Sequence, residues 1–215
     1  MIIGMWMTRD VVTIEPHTSL VEAAALMARR RIRRLPVVDH HDHEVHPVGI
    51  VTATDILHAC PPEINPFAVS TADSLKMRMK AEEIMSRALR TAPPEMPIED
   101  AARIMRDAKI STLLVVQKMK LIGLITESDI FRAFVGILES TGAGARITFA
   151  VTDKEDIFGF IAPIAIKLGV RVVSLMTVNQ PERKLCVVRI AGTEQDKMID
   201  EIWNSGHTVL NVITY

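Results

Sequence analysis

Aromatic residues are scarce, at 4% of the 215 positions. A core must therefore be filled by Val, Ile, Leu, Ala and the 12 Met, the last serving as adaptable filler. Cysteine is scarcer still. Cys60 and Cys186 lie far apart, in no metal or redox spacing, and read as buried thiols in a reducing compartment. No apolar run is long enough to cross a bilayer. The longest, Ile157 to Ile166, includes Gly159 and Pro163, whereas a spanning helix needs roughly 20 residues. An excess of one charge is also missing, because 25 basic against 26 acidic residues leave a net charge of −1. That balance argues against a surface built wholly for nucleic acid, although a local basic patch stays open. The segment Met1 to Trp6 has neither the basic start nor the cleavage site of a signal peptide. These absences predict a soluble cytoplasmic protein. What is present, 48% hydrophobic and 24% charged residues, predicts folded domains with real cores.

The sequence repeats itself. Moved forward by 78 positions, Met7 meets Met85, Arg9 meets Arg87, Thr13 meets Thr91 and Pro16 meets Pro94. Ala23-Ala24 then meets Ala101-Ala102, Met27 meets Met105, and Leu35 and Val37-Val38 meet Leu113 and Val115-Val116. The register slips by four at a longer turn in the first copy, His40 to Pro47. Beyond it, Gly49-Ile50-Val51-Thr52-Ala53-Thr54-Asp55 lies on Gly123-Leu124-Ile125-Thr126-Glu127-Ser128-Asp129. The first 135 or so residues are a tandem duplication.

Each copy reads β-α-β-β-α. An extended piece ends at Thr13 or Thr91. Leu20, Ala23, Ala24 and Met27, matched by Ile98, Ala101, Ala102 and Met105, then mark the buried face of a helix. Leu35 to Val38 and Val48 to Val51 predict a hairpin, and a second helix starts near Ala53. Sheets this small predict copies packed on one another. Pro61 to Pro66 reads as a loop and Ser74 to Met85 as a connecting helix. The last third reads β-α-β-β-α-β, the order of a split βαβ, ferredoxin-like unit. Its strands are placed at 146–151, 170–178, 185–190 and 208–213, and its helices at 156–168 and 194–204. The predicted fold class is α/β (α+β). Its parts are a first unit at 1–60, a linker and helix at 61–84, a second unit at 85–138, a linker at 139–145 and a third domain at 146–215.

The duplicated Gly-h-h-Thr-x-x-Asp carries the chemistry. Thr52 and Thr126 can cap helices with Asp55 and Asp129 at the third position. The same geometry also suits a ligand: backbone N–H groups and a Thr hydroxyl for a phosphate, and a carboxylate for ribose hydroxyls. Arg29-Arg30-Arg31-Ile32-Arg33-Arg34 precedes the strand Leu35 to Val38. Arg29 to Arg31 suit a helix C-terminus, whereas Arg33 and Arg34 are better placed to reach a phosphate. The second copy has Ser111 and Thr112 at that place, so the phosphate grip is expected to be asymmetric.

This repeated pattern resembles a pair of CBS domains, a Bateman module, over about residues 1 to 138. The C-terminal third resembles an ACT domain by element order, and the succession is similar to AcuB-type acetoin-utilisation proteins. The resemblance implies pseudo-symmetric stacking, with adenine nucleotide (AMP, ADP or ATP) bound in clefts. It implies ribose contacts from Asp55 and Asp129, and phosphate contacts from Thr52, Thr126, Arg33 and Arg34, with Thr54, Thr112 and Ser128 as further nucleotide-binding positions. Thr13, Ile14 and Val37, and Thr91, Ala92 and Val115, are expected to border the adenines, and Pro36 and Leu113 are further expected nucleotide-binding positions. Leu114 replaces Pro36 in the second copy, which is expected to alter the backbone there. Amino-acid-binding ACT domains usually carry an Asp-x-Pro-Gly-like turn. Here it reads Asp153-Lys154-Glu155-Asp156, which favours a dimerising or interaction role.

His40 to His46 holds four of the seven His. A metal site is conceivable there, but consecutive residues read better as a solvated turn. Met77, Met79 and Met85 read as packing. No catalytic set, catalytic cofactor or metal site is expected. The leading expectation is a homodimeric regulatory module that senses adenine nucleotides and acts on an unknown protein partner, with neither nucleic acid nor membrane as partner. The alternatives are an enzyme of acetoin metabolism, and nucleic-acid binding through Arg29 to Arg34.

Overall fold

In the computed structural model, residues 1–41, 44–60, 67, 79–138 and 143–215 are described. They divide into two compact units, Met1–Ala133 and Phe134–Tyr215. Pro61 to Pro66, the 74–78 part of the expected connecting helix, and Met77 lie outside the described residues.

In the first unit the repeat is visible element by element. Helix α1 (Leu20–Arg30) begins at a complete capping box: Ser19 Oγ accepts from the Glu22 N–H, and the Glu22 carboxylate accepts from the Ser19 N–H. Leu20, Ala23, Ala24 and Met27 face inward, as their spacing requires. Strands β1 (Arg34–His41) and β2 (Glu44–Thr52) pair antiparallel and lead into α2 (Ala53–Ala59). A short helix α3 (Ala81–Ile84) precedes the second copy. That copy holds β3 (Thr91–Ala92), α4 (Ile98–Ala108), β4 (Thr112–Gln117), β5 (Lys120–Thr126) and α5 (Glu127–Leu138). α1 and α4 both stop at a left-handed residue, Arg31 at φ 54° and Lys109 at φ 53°.

The expected turn over His40 to Pro47 is corrected. β1 and β2 stay paired from Val38↔Pro47 through His41↔Glu44, so the extra residues lengthen the hairpin arms. The chain can do this because alternate positions of an edge hairpin tolerate polar side chains facing water.

The Pro36 and Leu114 difference has a backbone consequence. In the second copy the Leu114 N–H donates to the Arg90 carbonyl, and β3 pairs with β4 along Thr91 and Ala92. Proline has no N–H to donate. The first copy accordingly keeps only a bridge from Ile14 to Val37.

The segments that enter each copy cross over. Ile3 and Met7 pack in the core of the second copy with Leu113, Val115 and Ile125. Ala81, Ile84 and Met85 pack in that of the first, with Leu35, Val37 and Val51. Thr8 and Leu124 exchange backbone hydrogen bonds of 2.9 Å each, and Ser86 and Ile50 exchange bonds of 3.0 Å. The glycines of the repeated motif permit this approach. A Cβ on Gly49 would stand 2.3 Å from Met85 Sδ, and one on Gly123 would stand 2.6 Å from Met7 Sδ and 3.0 Å from the Thr8 carbonyl oxygen.

The second unit contains β6 (Ala145–Val151), α6 (Ile157–Leu168), β7 (Arg171–Asn179), β8 (Lys184–Ala191), α7 (Gln195–Asn204) and β9 (Val209–Thr214). Its antiparallel sheet runs β7-β8-β6-β9, so β8 lies between β6 and β7. Alternate residues of β6, Ala145, Ile147, Phe149 and Val151, are buried with Ile157, Ile161, Met198 and Ile202 of the helices. Pro163 sits inside α6, and Gly169 ends that helix at φ 64°, a conformation that glycine adopts freely.

Candidate functional site

Two adjoining clefts in the first unit are each built from both copies. The first, about 340 Å³, takes Thr52, Thr54 and Asp55 from the start of α2 and Arg34 from β1. The second copy supplies Ser86, Arg90, Lys109, Ser111, Thr112 and Leu114. The other cleft, about 500 Å³, reverses the arrangement. Thr126, Glu127 and Ser128 come from the second copy, and Arg31, Arg33 and Arg34 from the first.

The carboxylates at the helix starts are equivalent by repeat but not by surroundings. Asp55 Oδ2 accepts from the Thr52 N–H and hydroxyl, both at 2.7 Å. The other oxygen of Asp55 has no partner among the described residues, and the residue lines the first cleft. Asp129 caps in the same way through Oδ2, at 2.9 and 2.8 Å. Its Oδ1 is taken by Arg132 at 2.7 Å, and it is 6% exposed. The first copy has His58 where the second has Arg132. Asp55 therefore caps with one oxygen and leaves the other without a partner among the described residues, whereas Asp129 is engaged on both oxygens.

The structure brings Arg34, Thr52, Thr54, Asp55 and Thr112 together in the first cleft, and Arg33, Arg34, Thr112, Thr126 and Ser128 in the second. The expected adenine neighbours do not line these two clefts. Ile14, Pro36, Val37, Ala92, Leu113 and Val115 are buried, and all but Pro36 belong to the two apolar cores. Thr13 is half-buried and Thr91 exposed, and neither lines these two clefts. Motif reading overlooked Arg90 and Lys109. The repeat held a signal for Lys109, which falls on Arg31: both follow a helix as its left-handed cap, and each projects into the cleft whose helix start belongs to the other copy.

Other candidate chemistry is thin. Among the described residues, no group of three or more His, Cys, Asp or Glu could hold a metal. His46 Nδ1 lies 3.2 Å from the Met119 carbonyl oxygen, and Lys120 pairs with Glu44 at 2.5 Å. No helix among these residues is long and apolar enough to cross a membrane.

In the second unit the loop after β6 is tied down. Glu155 accepts from the Thr152 N–H at 3.1 Å and pairs with His207 Nε2. Ser205 Oγ lies 2.6 Å from His207 Nδ1, and the imidazole rests against Phe149 and Phe160. Burial pushes the Glu155 carboxyl up. The hydrogen bonds from His207 and Thr152 outweigh it, and the carboxyl is held below its ordinary range. Asp156 caps α6 by accepting from the Gly159 N–H at 2.9 Å.

Comparison with known proteins agrees with the first unit. The CBS domain family matches residues 3–61 and 81–136, together more than half of the chain. A protein of unassigned function from Methanocaldococcus jannaschii, MJ1404, is 36% identical over 132 residues, covering 59% of this chain and 30% of that one. The chain spans less than half the length of this relative and of two other archaeal ones, at 22% and 47%. Among solved structures, a Vibrio cholerae protein named for acetoin utilization, AcuB, superimposes with a TM-score of 0.52 at 28% identity, covering 64% of this chain and 93% of that one. CBSX2 in complex with AMP gives 0.53 at 27%, covering 64% and 98%. The CBS pair of MJ0100, in complex with 5′-methylthioadenosine and S-adenosyl-L-methionine, gives 0.51 at 29%, covering 63% and 97%. The chain belongs to the CBS-domain family and carries two CBS domains in tandem.

Proposed function

We propose that this protein is a regulatory module that binds an adenine nucleotide, AMP, ADP or ATP, between its two CBS domains. One observation carries the reading. In the first cleft, Asp55 offers a carboxylate oxygen with no partner among the described residues, and Arg34, Arg90 and Lys109 line the same cleft. A carboxylate suits a pair of ribose hydroxyls, and the cations suit phosphate. The complexes of CBSX2 with AMP and of MJ0100 with S-adenosyl-L-methionine support an adenosine ligand. Because both copies build the cleft, a ligand there bridges them, and it shifts their packing to the extent that it prefers one arrangement.

The C-terminal unit serves as an ACT-like dimerising or effector domain in this reading. Its strand and helix order supports that role. Its first loop has neither the Pro nor the Gly of an amino-acid pocket and is tied by Glu155 and His207. Likeness to the AcuB protein supports a link to acetoin utilisation. The reading assigns the chain no catalytic role.

A thermal shift titration with AMP, ADP and ATP tests the proposal. A ligand at 100 times its Kd adds about 2.7 kcal/mol of stability. Asp55→Asn should weaken binding more than Asp129→Asn does, since Arg132 already occupies Asp129. No shift with any of the three at ligand concentrations on the order of millimolar would refute the reading.

A further inference from the structure

The two clefts share a wall. Arg34, Ser111 and Thr112 line both. They also stand at equivalent places in the repeat, Arg33-Arg34 entering β1 as Ser111-Thr112 enters β4. Across this junction the Arg34 guanidinium donates to the Ser111 hydroxyl. Thr112 is 8% exposed, and its hydroxyl has no hydrogen-bond partner among the described residues. Buried hydroxyls in folded proteins are nearly always satisfied. This one therefore points to a group that the described residues do not supply.

The charge around the wall defines that group. In the first cleft Arg34, Arg90 and Lys109 face one acid, Asp55. In the second Arg31, Arg33 and Arg34 face one acid, Glu127. Both clefts carry an excess of positive charge, and Arg34 serves each of them. Such a surface draws in an anion and opposes a cation.

Resting on the adenine-nucleotide reading above, we propose that the ligand is a nucleoside polyphosphate, whose nucleoside occupies the Asp55 cleft and whose phosphates cross the shared wall. One phosphate accepts from the Thr112 hydroxyl and takes Arg34 from Ser111, because a guanidinium fork matches two phosphate oxygens better than one hydroxyl. The next phosphates meet Arg31 and Arg33, which a monophosphate held at Asp55 does not reach. A sulfonium ligand such as S-adenosyl-L-methionine brings positive charge to a positive wall and binds weakly. Stoichiometry follows as well. A chain of phosphates across the junction uses it for both clefts, so one polyphosphate binds per protein chain.

Isothermal titration calorimetry of the full chain with AMP, ADP, ATP and S-adenosyl-L-methionine, at one ionic strength and without divalent cation, tests this. ATP should bind about tenfold more tightly than AMP, with ADP between them, one ATP per chain, and S-adenosyl-L-methionine about tenfold weaker than ATP. Arg34→Ala should bring the ratio of ATP to AMP affinity below about threefold. Thr112→Val keeps the side chain's shape and removes the orphaned hydroxyl. It should lower ATP affinity without lowering Tm, whereas a purely structural Thr112 would leave ATP affinity unmoved and overturn its assignment. ATP no tighter than AMP, two ATP per chain, or S-adenosyl-L-methionine equal to ATP overturns the polyphosphate assignment while the adenine-nucleotide reading stands. Failure of all four to bind removes both.

Discussion

Replacing Gly123 by alanine tests the crossed arrangement of the two copies directly. In a strand, with no positive φ recorded at Gly123, such a change would ordinarily stabilise by about 0.4–1 kcal/mol, because alanine has less freedom to lose on folding. Here the new methyl group meets Met7 Sδ at 2.6 Å, Met7 Cγ at 3.1 Å and the Thr8 carbonyl oxygen at 3.0 Å. The thioether can turn aside, but Met7 is only 8% exposed and has little space to enter. The Thr8 oxygen is backbone and accepts from the Leu124 N–H at 2.9 Å. Moving it loosens the bond that holds the entering segment. Overpacking of this kind costs about 1–3 kcal/mol. Set against the entropic gain, the net expectation is a loss of about 1–2 kcal/mol. Urea unfolding of the wild type and the variant measures it. Gly49→Ala is the internal comparison. Its close neighbours are all Met85 side-chain atoms, so its cost should be smaller. In a Met7→Ala background the penalty of Gly123→Ala should shrink by about 1 kcal/mol, because the two changes remove the same contact. A neutral or stabilising Gly123→Ala, or a penalty indifferent to Met7, would show that the glycine is not there for the crossing segment.

Three further outcomes follow from the geometry. Ser19→Ala removes the cap of α1 and should cost about 1 kcal/mol; it should also let the Glu22 carboxyl rise toward its ordinary range, since the Ser19 hydrogen bonds hold it down, and an unmoved Glu22 titration by NMR would contradict this. Glu155 has a folded pKa below its unfolded value, so its contribution is full above about pH 4.3 and fades as pH falls through the folded value. Glu155→Gln should therefore cost about 1 kcal/mol near neutrality, allowing for partial exposure, and less toward pH 3, and an equal cost at both pH values would refute the assignment. Cys186 is fully buried, and burial together with the Glu155 charge pushes its thiol up to about 11. At pH 8 a thiol reagent should modify Cys60 first and reach Cys186 only on unfolding; equal rates in the native protein would count against the packing described.

The parts of the molecule that were legible in the sequence are those written locally. Leu20, Ala23, Ala24 and Met27 carry helical period, and Thr52 with Asp55 forms a cap within one turn, so both could be read without partners. The split βαβ order of the last third was legible for the same reason, through alternation such as that of Ile147, Phe149 and Val151. Contacts that join distant residues were not. Nothing near Met7 or Met85 in sequence says that each belongs to the other copy's core, and only the repeated Gly49 and Gly123 hinted at a close approach. The site was half legible. Asp55, Thr52, Arg34 and Thr112 sit in motifs, whereas Arg90 and Lys109 reach the cleft only because the copies interlock. Ile14, Val37 and Val115, which the resemblance sets beside the adenines, have their side chains in the apolar cores, because small β-branched residues beside a motif fill a two-layer core.

The crossed entry segments have a consequence for the origin and dissection of the pair. Each repeat is finished by a piece of chain that belongs, in linear order, to its twin. A single repeat excised at its sequence boundary would lack part of its own core and expose the place where that piece docks. Two such halves would be mutually sticky, and mixing them should rebuild the clefts by fragment complementation. An ancestral single-copy chain with the same architecture would have faced the same requirement and met it by exchanging arms with an identical neighbour. Duplication of such a chain would turn an exchange between molecules, dependent on concentration, into one within a single chain.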